Sequence, residues 1–227
     1  MNRAPFILAL LIAGFLLPCG APSSFARQAP QRPETVDRIV ARIEGDIILL
    51  SEARELAAYQ QLIDGHAQAD DQLVGALIEQ WVVRNEAEQA QFSLPSAADV
   101  DAEMNRIQSR FAGAQAFRQR LAAVGLTEQS LRHIVEQQIY LERYLDYKFR
   151  PAIQIEDTAI SQYYQEELTP PLRAQGQTPP SLDDVREQIR EVLVQRGINE
   201  RADTWFEETK SRLQIEIAPT LSGDRNP

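Results

Sequence analysis

The stretch VDRIVARIEGDIILLSE, residues 36–52, decides the fold. Ile39, Ala41 and Ile43 alternate with Val40 and Arg42, the period-two pattern of a half-buried strand. Glu44, Gly45 and Asp46 supply a tight turn, with Gly45 free to take positive φ. Residues 47–50 form a continuous apolar run and predict a second, more buried strand. Ser51 reads as a helix N-cap, with Glu52 and Glu55 placed early where the helix dipole favours carboxylates. A two-stranded hairpin is only marginally stable by itself. The far end of the chain offers the missing strand: residues 213–218 read LQIEIA, with Ile215 and Ile217 on one face and Gln214 and Glu216 on the other. Pairing it with the hairpin would join the two ends in one small sheet.

Everything between these ends is patterned for helices. A first helix runs from Ser51 to about Ile63. A second is capped by Asp70 and carries Leu73, Leu77, Trp81 and Arg84 at i, i+4, i+8 and i+11, ending before Phe92 and Pro95. Ser96 and Asp99 open a third, with Val100, Met104, Ile107 and Phe111 along one face. After Gly113 comes a short helix with Phe117, Leu121 and Val124, closed by Gly125 at C′. Thr127 caps a long helix to about Phe149, stopped by Pro151. An extended Ile153-Gln154-Ile155 leads to a helix capped by Asp157 and carrying Ile160, Tyr163 and Tyr164. Residues 169–181 hold Pro170, Pro171, Pro179 and Pro180 and read as a linker, not an element. A last helix starts near residues 182–184 and runs towards Leu213, with Gly197 as a place to bend. Trp81 and Trp205 read as core anchors. The predicted class is mainly α: a multi-helix body with a small sheet made by the N-terminal hairpin and the C-terminal strand.

The first 26 residues have the order of a secretory signal: Arg3, the apolar run 6–17, then Ser24-Phe25-Ala26 as a small-residue cleavage site. The run is shorter than the roughly 20 residues a membrane span needs. Cleavage after Ala26 would place the protein in the periplasm and remove Cys19, the chain's one cysteine. The competing reading makes Cys19 a lipidated residue, but Pro18 directly before it departs from the lipobox pattern. Residues 27–35 read as a Pro-rich disordered leader, 36–218 as one domain in two parts (36–168 and 182–218) joined by the linker, and 219–227 as a disordered tail. The net charge of −10 argues against nucleic acid and against adsorption to anionic lipid. Neither nucleic acid nor stable membrane insertion is expected.

The chemistry-bearing residues are sparse. His66 and His133 lie far apart in the chain, without metal-ligand spacing, and no metal or cofactor is expected. No nucleophile-elbow, phosphate-loop or dinucleotide motif occurs, and the carboxylates scatter over helix exteriors. No catalytic residue is assigned. Tyr140, Tyr144 and Tyr147 at i, i+4 and i+7, followed by Tyr163 and Tyr164, form an aromatic group with two readings. One is ordinary helix packing; the other is a lining for unfolded peptide, since tyrosine joins a large apolar face to a polar tip.

The hairpin, LVGALIEQWVVRNEAEQAQF at 73–92, LRHIVEQQIYLERYL at 131–145, IQIEDTAISQYY at 153–164 and the closing helix–strand at 185–217 resemble, in that order, the chaperone part of SurA-type periplasmic folding factors and the related trigger-factor-like chaperones. The resemblance covers most of residues 36–218. In such families the Tyr-Tyr segment leads into a parvulin-type peptidyl-prolyl isomerase domain. Here only residues 165–182 follow, without histidine, far short of the roughly 50 residues a small domain needs. The resemblance implies an ATP-independent holdase for unfolded or nascent envelope proteins, outer-membrane proteins above all. Two alternatives stand beside it: a protein of the isomerase family acting with a separate catalytic partner, and an envelope interaction protein that is not a chaperone.

Overall fold

The computed structural model describes residues 37–218, which lie within one compact unit. The expected signal peptide, the leader, Cys19 and the tail lie outside the described residues.

The hairpin forms as β1 (Ile39–Ile43) and β2 (Asp46–Leu49), paired antiparallel with Ile43 opposite Asp46. The two turn residues between them both take positive φ, Glu44 at 51° and Gly45 at 98°, the primed geometry that matches strand twist. Glutamate is an uncommon choice there. Its backbone N–H donates to the carbonyl of Gln214 (3.1 Å), and its carboxylate accepts the Gln214 N–H (2.7 Å). Those two bonds tie the turn to the entry of β3 (Ile215–Ile217), which pairs antiparallel with β1, Ile43 opposite Ile215 and Ala41 opposite Ile217. The sheet order is β2-β1-β3, so the two ends of the described chain share a central strand.

Three details of the sheet depart from the alternation read in the sequence. The register slips between Ile39 and Ala41, and this bulge buries Val40 as well as Ala41. Ile47, expected in a buried run, is 45% exposed, because β2 is an edge strand that alternates about Ile48. Ile217 is 61% exposed, whereas Ile215 packs on the core, although the two share a face.

The helices are α1 (Leu50–Ile63), α2 (Asp70–Gln89), α3 (Ala97–Ser109), α4 (Ala114–Ala123), α5 (Glu128–Phe149), α6 (Asp157–Tyr163), α7 (Thr169–Ala174) and α8 (Leu182–Lys210). Ser96 and Thr127 cap as expected, each accepting the N–H three residues on (Asp99, 3.2 Å; Ser130, 3.0 Å). Ser51, Asp70 and Asp157 do not: the N-caps are Leu49, Ala69 and Glu156. At the first of these, Glu52 reaches back to accept the Leu49 N–H at 2.6 Å, and the Ser51 N–H in the first turn donates to the Asp37 carboxylate (3.2 Å), so Ser51 is a donor inside the helix and not its cap. The expected linker is partly helical. Five residues, Tyr164–Leu168, form a wide π turn, and α7 then begins with Pro170 and Pro171 in its first turn, where missing N–H groups cost nothing. The remainder, residues 175–181, is the connection.

Two apolar cores lie along α5, which at roughly 1.5 Å per residue is about 33 Å long. Its N-terminal half (Leu131, Ile134, Val135) joins α1, α3 and α4 around Ile107, Phe117 and Leu121. Its C-terminal half (Tyr140, Leu141, Tyr144) joins the sheet, α2 and α8 around Ile43, Trp81, Val82 and Phe206. α6 lies against the first half of α8, with Ile160, Ile189 and Ile198 all buried. Gly197, inside the continuous α8, faces Ile153: a Cβ there would sit 3.2 Å from the Ile153 Cγ2. The glycine is a notch for that side chain. Arg190 and Arg201 of α8 donate to the carbonyls of Ile155 and Ala152 on either side of it.

Candidate functional site

The five tyrosines do not form one surface. Tyr140 and Tyr144 are buried in the core beneath the sheet, and only Tyr147, one turn further, stands 64% exposed. All three gather on Phe92, with ring centroids 5.8, 5.4 and 5.4 Å away. Phe92 is delivered by the end of α2: Gln91 takes φ 51°, and the Phe92 N–H reaches back to the Ala87 carbonyl (2.9 Å). This is a left-handed C-terminal motif with glutamine where glycine is usual, so no residue type signals it in advance. The Tyr144 hydroxyl donates to Glu86 (3.2 Å), and burial, with that carboxylate beside it, pushes its pKa up to about 12. Lys148 completes the seam, donating to Glu86 (2.8 Å) and lying 4.6 Å over the Trp205 ring. For Tyr140 and Tyr144, helix packing is the reading the contacts support.

Tyr163 and Tyr164 are half-buried on α6 and the π turn. The Tyr163 ring is covered by the Arg196 guanidinium at 5.5 Å, and the Tyr164 hydroxyl donates to the Pro180 carbonyl (2.7 Å), pinning the 175–181 connection. Among the described residues no ring contact links this pair to the Phe92 group. His66 and His133 are both exposed, and no group of three or more His, Cys, Asp or Glu side chains among the described residues is placed to hold a metal ion. No described helix is long and apolar enough to cross a membrane.

A cleft of about 220 Å³ opens where the edge strand β2 meets α1, α2 and α5. Its apolar surface comes from Ile47, Leu56, Leu77, Trp81 and Ile134. Helical spacing explains the lining. Leu77, Gln80, Trp81 and Arg84 recur on one face of α2, and Ile134 and Gln138 are one turn apart on α5. Trp81 is fixed in orientation by its indole N–H, which donates to Asp46 of β2 (2.9 Å). The polar lining is unusual. Gln80, Gln138 and Glu55 are half-buried and have no hydrogen-bond partner among the described residues. Gln137 meets His133 at 3.0 Å. Sequence reading placed Trp81 and Leu77 in a core stripe and missed the cleft, because four separate elements build it. A scan against models of known protein families found no match, and a search of the curated proteins found none.

Proposed function

We propose that the protein is an ATP-independent holdase that binds unfolded envelope proteins in the periplasm. The observation that carries this reading is the cleft at the β2 edge, where an apolar surface is interleaved with half-buried amides that lack partners. Half-buried amides without a protein partner are left to solvent, and a ligand that brings both apolar side chains and hydrogen-bonding groups can pair them while it covers the apolar surface. Polypeptide that has not yet folded is the most general ligand of that kind. At about 220 Å³ the cleft lies below the roughly 300 Å³ at which small-molecule pockets begin, and suits one or two side chains of a longer chain. Further large apolar side chains, Leu94 (71% exposed) and Tyr147, stand in solvent elsewhere on the body. The joining of the chain ends in one sheet agrees with the architecture the family resemblance implies. The signal-like first 26 residues support the compartment, and outer-membrane barrel strands, which alternate apolar and polar residues, suit as clients.

The test is light scattering from a urea-unfolded outer-membrane barrel protein diluted into buffer without nucleotide. The purified protein is expected to suppress aggregation in proportion to its concentration. Undiminished scattering at several-fold molar excess refutes the holdase reading.

A further inference from the structure

The cleft adjoins an unpaired sheet edge. In the two-residue hairpin, Ile43 and Asp46 close the ladder, so the next opposing pair, Arg42 and Ile47, is the non-bonded one on that side. The Ile47 N–H and C=O therefore point away from β1, as those of Arg42 point towards Glu216 of β3. Among the described residues no backbone bond is made by Ile47 on its outer side. Edge groups of this kind are a template for another strand.

We propose, building on the holdase reading, that a client binds as an added strand on β2, antiparallel or parallel to Ile47, with an apolar side chain seated against Leu77 and Trp81. Main-chain hydrogen bonds to the edge give generality, and the pocket beside it selects every second side chain. The electrostatics narrow the occupant. Glu52, although it accepts the Leu49 N–H, keeps its charge, so Glu52 and Glu55 on the α1 wall face Arg84 on the α2 wall and the lining carries one net negative charge. A segment alternating apolar with uncharged polar residues meets neither wall with a like charge, and the free amides of Gln80 and Gln138 can meet the polar positions. A highly charged segment of either sign would leave one wall repelled. The site therefore takes extended, alternating polypeptide of the kind found in unassembled β-sheets.

The test uses the purified protein with a photo-reactive residue in place of His133, an exposed member of the lining to which the proposal gives no contact, and two labelled synthetic peptides. One alternates apolar and neutral polar residues; the other has the same composition in blocks. Ile47→Pro removes only the outward N–H, a substitution that edge strands tolerate, and its fold is checked by circular dichroism and urea midpoint. The alternating peptide is expected to cross-link, and Ile47→Pro to bind it about five-fold more weakly than Ile47→Thr, which also loses apolar surface but keeps the N–H, so that the difference is one hydrogen bond. Gln80→Ala with Gln138→Ala is a second variant that leaves the strand intact, and is expected to weaken binding as well. Equal binding of the block peptide, unchanged binding by folded Ile47→Pro, or cross-links to a second copy of the chain or to its own residues 27–36 each overturn the strand-addition site. Aggregation suppression without cross-linking overturns the site and leaves the holdase standing. Cross-linking without suppression keeps the site and overturns the holdase.

Discussion

Shortening Ile215 and Ile217 to alanine separately should give unequal losses of stability. Both lie in β3 and share a face, so sequence pattern treats them alike. The structure does not. Ile215 pairs with Ile43, which is fully buried, and packs against the core formed by the sheet, α2, α5 and α8. Full burial would set the cost of Ile→Ala at about 2–5 kcal/mol; for a side chain only partly enclosed the expected loss is about 1–2 kcal/mol. Ile217 is 61% exposed, and its truncation should cost less than about 0.5 kcal/mol. Urea unfolding followed by fluorescence of Trp81 and Trp205, both within or against that core, measures the two values. Removing residues 213–227 altogether should go further. The Glu44 N–H loses the Gln214 carbonyl, and Arg42 loses its facing partner, so hydrogen exchange at those two amides should accelerate more than at Ala41 and Ile43, which face β2. Equal costs for the two alanine variants, or a Glu44 amide protected as well in the truncated chain, would refute closure of the sheet by β3.

Three further outcomes follow from single residues. The hydroxyl of Thr169, 3% exposed and without a hydrogen-bond partner, makes Thr169→Val neutral or stabilising by about 1 kcal/mol in thermal unfolding; a loss above that size contradicts the placement. Gly197→Ala gains about 1 kcal/mol of helix propensity but forces its Cβ to 3.2 Å from Ile153; in an Ile153→Ala background the gain should appear in full, and a double-mutant cycle showing no coupling would remove the notch. Asp99 has its carboxyl pKa lowered, chiefly by the Arg143 guanidinium and then by Ser96. A depressed carboxylate stabilises the fold above its unfolded value near 4 and loses that contribution as pH falls through the folded one. Nuclear magnetic resonance titration of Arg143→Met should show Asp99 titrating closer to 4, and an unchanged titration would assign the shift elsewhere.

The parts legible in the sequence were those carried by a short pattern of residues. Ser96 with Asp99 and Thr127 with Ser130 cap where their spacing says, and the chain-end sheet follows from an alternating stretch at each end. The misreadings have a common cause: pattern shows which side chains share a face, but not whether anything covers that face. Ile47 and Ile217 look like core residues and stand at edges; for Tyr140 and Tyr144 the pattern left packing and an open lining as two readings, and their burial supports packing. The bulge at Val40 and the left-handed Gln91 are backbone choices made by tertiary contacts, invisible to propensity. The prolines at 170 and 171 read as breakers, although in a first helical turn their missing N–H groups are harmless. The cleft needed four elements to meet, and no single stretch encodes it.

The most direct measurement of the central claim is the affinity of the protein for one barrel protein in two states, unfolded and folded into detergent, by fluorescence anisotropy without nucleotide. The expected result is saturable binding of the unfolded chain, competed by the alternating peptide, and no binding of the folded barrel. Equal affinity for both states, or for neither, would contradict a holdase.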